Sequence, residues 1–215
     1  MDSLISNFDI ILDGFVETLK LLGVSAVIAL VLGTLVAAAR VSPVPILRGT
    51  AGVYVTLFRN TPLLVLIILT YYGLPEIGIN PGFFPLITMA MGLYTASFVA
   101  EALRSGINAV PVGQIEASRA VGMPFGQTMT AVVLPQAFRA TVPPMASVLI
   151  ALTKNTSLAA TFGIAEATFR ARGLINDDAG ARWPILIGVA VGYIIIVEAI
   201  SLGAALLERR WSVAR

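Results

Sequence analysis

The sequence predicts an all-α protein that crosses a membrane several times. Hydrophobic residues make up 57% of the 215-residue chain and charged residues only 12%, about half the charged share of an ordinary soluble domain. Mean hydropathy is +0.90. Too little polar surface remains to coat a water-facing globule, and disorder is excluded because it requires low hydrophobicity. The apolar residues also gather into runs long enough to cross a bilayer.

The first run, Leu21 to Ala39, carries no charge and reaches roughly 30 Å, one crossing. Asp2, Asp9, Asp13 and Glu17 precede it, unlike the positive flank of a signal peptide, so a retained helix is expected. The second span runs from about Gly49 to Leu74, interrupted by Arg59 and followed by Pro75. Pro75, Gly78, Pro81, Gly82 and Pro85 read as a loop with turns. The third span is Phe84 to Ala100. The fourth is Ala137 to Ala160, with Pro143-Pro144 inside and Lys154 near its end. The fifth is Trp183 to Leu207, carrying Glu198, with Trp183 and Trp211 at opposite ends.

Five crossings place the termini on opposite sides. One side collects Arg40, Arg48, Arg104, Arg119, Arg139, Arg209, Arg210 and Arg215; the other has only Arg170, Arg172 and Arg182. Basic residues favour the cytoplasm, so the N-terminus is expected outside and the C-terminus inside. Residues 1–13 then form an extracytoplasmic segment, 14–207 the transmembrane domain and 208–215 a cytoplasmic tail. The expected location is the cytoplasmic membrane, with the lipid bilayer as a partner.

Composition also limits the chemistry. The chain has no Cys and no His, which excludes disulfides, Cys/His metal sites and Ser-His-Asp or Cys-His catalysis. No metal site and no enzymatic activity of its own are expected. A net charge of +2 is too small to argue for nucleic acid.

Residues 107–135 are too polar for a span and too patterned for a plain loop. Pro111 and Gly113 open the stretch, and Ile115, Ala117, Ala120 and Val121 give a short helical face. Gly122 fits a helix C′ position, where positive φ is cheap. Pro124 suits the first position of a second helix, Met129, Val132 and Val133 give it an apolar stripe, and Pro135 is expected to close it. The shape predicted is helix, tight turn, helix on the cytoplasmic side. An amphipathic hairpin lying on the membrane surface would have the same composition.

The spacing points further. Glu116-Ala117-Ser118, three residues, Gly122, nine residues and Val132-Val133-Leu134-Pro135 resemble the cytoplasmic signature of ABC-importer permeases, EAA, three residues, G, nine residues, I-x-L-P. Here Ser replaces the second Ala and Val replaces Ile. Phe58-Arg59-Asn60-Thr61-Pro62-Leu63-Leu64 is similar to the R-G-T-P-L-L of polar amino-acid permeases, with Asn60 in place of Gly. The stretch Tyr94 to Ile107 resembles the same family's third span, and Leu152-Thr153-Lys154-Asn155-Thr156-Ser157-Leu158 its L-x-K-[DN]-[ST]-[ST]-L. Asn60, Asn155 and Arg104-Ser105-Gly106 look most like glutamate- or glutamine-type permeases.

The resemblance implies the type I importer fold, with a second permease subunit as homodimer or heterodimer. It implies two ATPase subunits, which hold ATP and Mg, and an extracytoplasmic amino-acid-binding protein. The chain has no GxxxxGK[ST], in keeping with that division. Glu116, Ala117, Ser118, Arg119, Gly122, Leu134 and Pro135 would form the ATPase-coupling surface.

Arg59, Lys154 and Glu198 interrupt spans, and intramembrane charges are candidates for function. Lys154 lies near the midplane, about 15 Å beyond Pro144 if the helix is unbroken. With Asn155, Thr156 and Ser157 it could hold a substrate carboxylate, or it could pair with a helix-end carbonyl or a Glu. Tyr94 and Ser97, three apart on one helix, could complete a polar wall or bond between helices. Arg59 could line the pathway or snorkel. Glu198 could pair with an arginine near the inner interface. Gly188-Val189-Ala190-Val191-Gly192 is a close-packing motif. Arg170, Arg172, Asp177 and Asp178 could face a binding protein or only solvent. The function expected is ATP-driven import of a polar amino acid. An ion-coupled secondary transporter is the alternative, but it would need acidic or His relays within the spans.

Orientation is testable in this cysteine-free chain. Asp177→Cys should react with impermeant thiol reagents from outside, and Gln127→Cys only after permeabilisation. The reverse labelling would invert the topology.

Overall fold

Inside hydrocarbon, backbone groups must find partners within the segment, which makes helix the available form. The computed structural model describes residues 2–211, with side-chain surroundings for residues 4–210. Arg215 and the side chain of Trp211, counted above, lie outside the described residues.

Helix α1 (Asp2–Ser6) leads into α2 (Phe8–Val41). Hydropathy alone places the start of the first span at Leu21, but α2 begins a good way earlier. Its buried residues explain why: Ile11, Gly14, Thr18, Leu21, Ser25, Ala29, Gly33 and Ala37 recur every three or four positions. This stripe is mostly small, so neighbouring backbones approach closely. Asp9, Asp13 and Glu17 lie off it.

Helix α3 (Pro45–Asn60) ends at Thr61-Pro62, both in extended conformation. The chain then turns by 102° into α4 (Leu63–Ile68), a π turn (Leu69–Gly73) and α5 (Leu74–Glu76). The single straight span expected over 49–74 is therefore corrected to a bent pair. Pro62 has no N–H to donate and holds Thr61 out of the helical region.

Helix α6 (Phe83–Asn108) is central: 61% of its apolar window is buried, against 28% for α2 and 11% for the last helix. After it come α7 (Val112–Ala120), α8 (Phe125–Gln127), a second π turn (Thr128–Val133) and α9 (Leu134–Asn155). Pro135 does not close the hairpin, as the sequence led us to expect. It sits in the first turn of α9, and helix continues through it from Phe125. Pro124 is the residue before α8 rather than its first. Pro143 and Pro144 lie inside α9 without ending it.

A 3₁₀ turn (Thr156–Phe162) ends at Gly163, φ +81°. Then follow α10 (Ala167–Asp177), a short 3₁₀ turn (Ala179–Ala181) and α11 (Arg182–Trp211). Among the described residues, three helices are long and apolar enough to cross a membrane alone. The two bent pairs raise this to five if each counts as one crossing.

Side-chain hydrogen bonds tie the first half of α2 to α10 and α11. Glu166 is fully buried. Its Oε1 accepts from the Phe169 N–H at 2.8 Å and its Oε2 from the Tyr193 hydroxyl at 2.7 Å. Thr18 Oγ1 accepts from the Ala167 N–H, so α2, α10 and α11 meet at one polar knot. Gly188 and Gly192 meet Leu4 and Phe15 of the same chain, so the close-packing motif on α11 serves the fold of this chain.

A Cβ at Gly106 would collide with Thr141 Oγ1 and sit 2.7 Å from the Ala137 carbonyl, whereas one at Gly203 would meet nothing within 4 Å. Gly106→Val should destabilise the chain by about 1–3 kcal/mol through overpacking. Gly203→Ala should be neutral or mildly stabilising. Thermal unfolding of the detergent-purified protein would check both.

Candidate functional site

A cleft of about 350 Å³ opens between α6 and α9, lined by Tyr94, Thr95, Phe98, Ser147, Val148, Ala151, Leu152 and Asn155. Tyr94 and Phe98 are one turn apart, with ring centroids 5.0 Å apart. Ser147 and Ala151 share a face of α9, and Lys154 continues it one turn on. Lys154 is exposed, and no acidic group pairs with it among the described residues. Ser157 Oγ donates to the Lys154 carbonyl, which holds the helix end beside the cleft.

Not every expected residue joins this wall. Ser97 is fully buried and its Oγ donates to the Tyr94 carbonyl at 2.6 Å. Thr156 is fully buried and donates to the Thr153 carbonyl at 2.6 Å. Both hydroxyls satisfy themselves on their own helix and face the core. The structure brings Tyr94 and Asn155 together, adds Phe98 and Ser147, and leaves Ser97 and Thr156 behind.

Phe98 also borders a second, polar hollow with Arg40, Thr56, Arg59, Asn60 and Glu101. The Arg59 guanidinium lies 5.2 Å from the Phe98 ring centroid, a cation–π distance. Glu101 accepts from Arg104 Nε at 2.8 Å, and Arg40 Nη2 stands 3.8 Å from its other oxygen. Tyr54 donates to the Leu93 carbonyl at 2.6 Å and fixes α3 against α6. A continuous surface thus runs from Asn155 past Tyr94 and Phe98 to Arg59. Arg40 and Arg59 line its polar end with Glu101, Arg104 pairs with Glu101, and Lys154 stands one helical turn beyond Ala151 at the other end. The Glu101–Arg104 pair went unremarked in the sequence, where Arg104 counted only toward the charge balance and the resemblance, although a Glu and an Arg three apart on a helix are a legible pair. Glu166 had no such signal, because Glu is not a favoured N-cap.

Elsewhere, Glu198 is exposed on α11 without a basic partner among the described residues. Asp13, Glu17, Lys20 and Arg170 line a charged hollow with Phe84 and Gly163. Asp178 accepts from the Gly180 N–H and caps the short 3₁₀ turn. No cluster of metal ligands occurs among the described residues.

The hairpin presents a different surface. Gly122 has φ +83°. Its N–H donates to the Arg119 carbonyl at 3.0 Å, and the Met123 N–H to the Ser118 carbonyl at 3.1 Å. These are the two bonds of a Schellman turn. Ser118 is buried, and its Oγ lies 3.1 Å from Thr128 Oγ1, which pins α7 to the π turn rather than offering a hydroxyl outward. Gln136 Nε2 donates to Gln114 Oε1 at 2.9 Å. Glu116, Ala117, Arg119, Leu134 and Pro135 are exposed, as are the apolar Val112, Val121 and Phe125.

Residues 29–213 match the family described as binding-protein-dependent transport system inner membrane component. The chain belongs to this family of ABC-importer permeases. The permease is 37% identical to the glutamate transport system permease protein GluC of Corynebacterium glutamicum, over 95% of each chain. It is 33% identical to the probable glutamine ABC transporter permease protein GlnM of Bacillus subtilis, covering 96% of this chain and 95% of that one. A crystal structure described as an amino acid ABC transporter with histidines matches with a TM-score of 0.89 at 30% identity, over 97% of each chain. The permease is accordingly a membrane-embedded transport subunit with the type I importer fold, and ATP hydrolysis belongs to separate ATPase subunits.

A Cβ at Gly122 would meet no neighbour, so substitution there strains only the backbone, by roughly 1–2 kcal/mol for most residues. Gly122→Val should reduce co-purification of the ATPase while the permease still inserts. Gly122→Asn should do so less, since Asn tolerates this conformation. Equal retention of the ATPase by wild type and Gly122→Val would separate the turn from docking.

Proposed function

We propose that this permease imports an acidic amino acid, glutamate or a close relative, by alternating access. The observation that carries the reading is the excess of cations beside the two hollows that share Phe98: Lys154 at the end of the α6–α9 cleft, and Arg59, Arg40 and Arg104 around Glu101 where α2, α3 and α6 meet. Glutamate brings two carboxylates and one ammonium, and a surface with excess guanidinium and ammonium favours it over glutamine. Lys154 with Asn155 supplies a cation and an amide at the cleft's end. Tyr94 supplies a hydroxyl, and Arg59 supplies a guanidinium toward the hairpin.

A cation at this depth is costly against lipid, which supports a second permease subunit closing on the same face around an aqueous path. The bent pairs at Pro62 and after Phe162 make five crossings, N-terminus outside. The exposed part of the hairpin, Glu116, Ala117, Arg119, Leu134 and Pro135 around Gly122, meets the ATPase. Two permeases and two ATPases form the importer, and an extracytoplasmic binding protein delivers the amino acid.

Lys154→Met should raise the concentration of glutamate needed for half-maximal uptake by tenfold or more. A lost charged hydrogen bond of about 1.5–3 kcal/mol has that size. Uptake of radiolabelled glutamate into proteoliposomes holding the complete importer would measure it. Wild-type uptake by the mutant, with glutamine competing equally well, would remove Lys154 and the acidic substrate together.

A further inference from the structure

On the far side of α9 from Lys154, helices α2, α6, α9 and α11 leave an apolar groove of about 490 Å³. A second hollow shares Leu103, Phe138 and Thr141 with it and opens beside Arg139. The two make one slot. Along α9 its lining runs from Leu134 to Leu149, and the part from Arg139 to Leu149 is ten residues or about 15 Å. That is half of the roughly 30 Å hydrocarbon core, the depth of one leaflet.

Position on the helix decides what can reach the slot. Phe138, Val142, Met145 and Leu149 recur every three or four residues along one face of α9. Ser147 and Ala151, which line the cleft, occupy the opposite face. On α6 the division repeats, with Leu103 and Ile107 toward the slot and Tyr94 and Phe98 toward the cleft. A second permease seated against the cleft leaves the slot turned to lipid. On α11 the wall includes Gly203, whose missing side chain keeps the space open.

Acyl chains gain no hydrophobic energy by leaving other acyl chains, so the headgroup must select the occupant. Arg139 is exposed at the slot's mouth, and no acidic group pairs with it among the described residues. A guanidinium matches phosphate oxygens in a two-bond fork. An anionic lipid leaves that charge pair uncompensated by a choline, and the cytoplasmic leaflet is where such lipids meet basic residues.

We propose that the slot holds one acyl chain of an anionic inner-leaflet phospholipid, with its phosphate on Arg139. The proposal rests on the orientation that places the hairpin in the cytoplasm, and it is independent of the substrate.

The complete importer, reconstituted in nanodiscs of equal parts phosphatidylglycerol and phosphatidylcholine and then returned to mild detergent, would be analysed for retained lipid by mass spectrometry. Phosphatidylglycerol should be retained in preference. Arg139→Gln should weaken that retention about fivefold, the share of one interfacial arginine, and Arg139→Lys should largely keep it. Gly203→Phe, or Gly203→Leu should the larger variant fail to assemble, should abolish it. Equal retention of both lipids by the wild type, or full retention by the filled-slot variant, would overturn the proposal. Disulfide cross-linking between two copies carrying Gly203→Cys would also overturn it, by showing a second subunit in the slot.

Discussion

Hydrocarbon offers no water to a stranded backbone group, so every proline in an apolar helix must be absorbed by the protein itself. At Pro62 the chain leaves the helical conformation and turns through 102°. At Pro75 and Pro135 it keeps the helix but loosens the turn ahead. The ring of a proline clashes with the carbonyl four residues earlier, here Tyr71 and Ala131, and both lie inside π turns. At Pro143-Pro144 the helix continues, and the Ser147 hydroxyl donates to the Pro143 carbonyl at 3.3 Å. The bend of one pair and the two wide turns follow from where prolines fall.

The class of fold was legible because span-length runs have few physical solutions, and the Gly122 turn because left-handed backbone has few residues to choose from. The start of α2 was not legible. Residues Phe8 to Lys20 are held in helix by packing against α10 and by the Thr18–Glu166–Tyr193 knot, contacts between residues about 150 apart in sequence. Prolines were overread as helix ends at Pro135, where the π turn relieves the clash that would have stopped it.

Polar residues in spans misled in a regular way. Ser97 and Thr156 looked like parts of a wet wall, yet each hydroxyl donates to a carbonyl three residues back. A short hydroxyl can settle its hydrogen bond on its own helix, so its presence says little about which way it faces. Lys and Arg side chains have no such escape. Lys154 and Arg59 therefore marked the charged surface more reliably than the serines and threonines around them. The aromatic member of that surface, Phe98, carried no polar signal at all and emerged only from its place against Arg59.

One feature of the hairpin joins its two ends. From Phe125 the helix runs through the π turn into α9 and on to Asn155. Ser118 clamps α7 to the foot of this rod, and Gln136 braces it again one step higher. The rod is mechanically a crankshaft. The rod has two places where the regular hydrogen-bond ladder is interrupted, the π turn at its foot and the Pro143-Pro144 pair inside α9. Turning such a shaft would move the face that carries Ser147, Ala151 and Lys154 against the α6 wall of the cleft. A small angle at the hairpin would then shift where Ser147 and Lys154 stand against Tyr94 and Phe98.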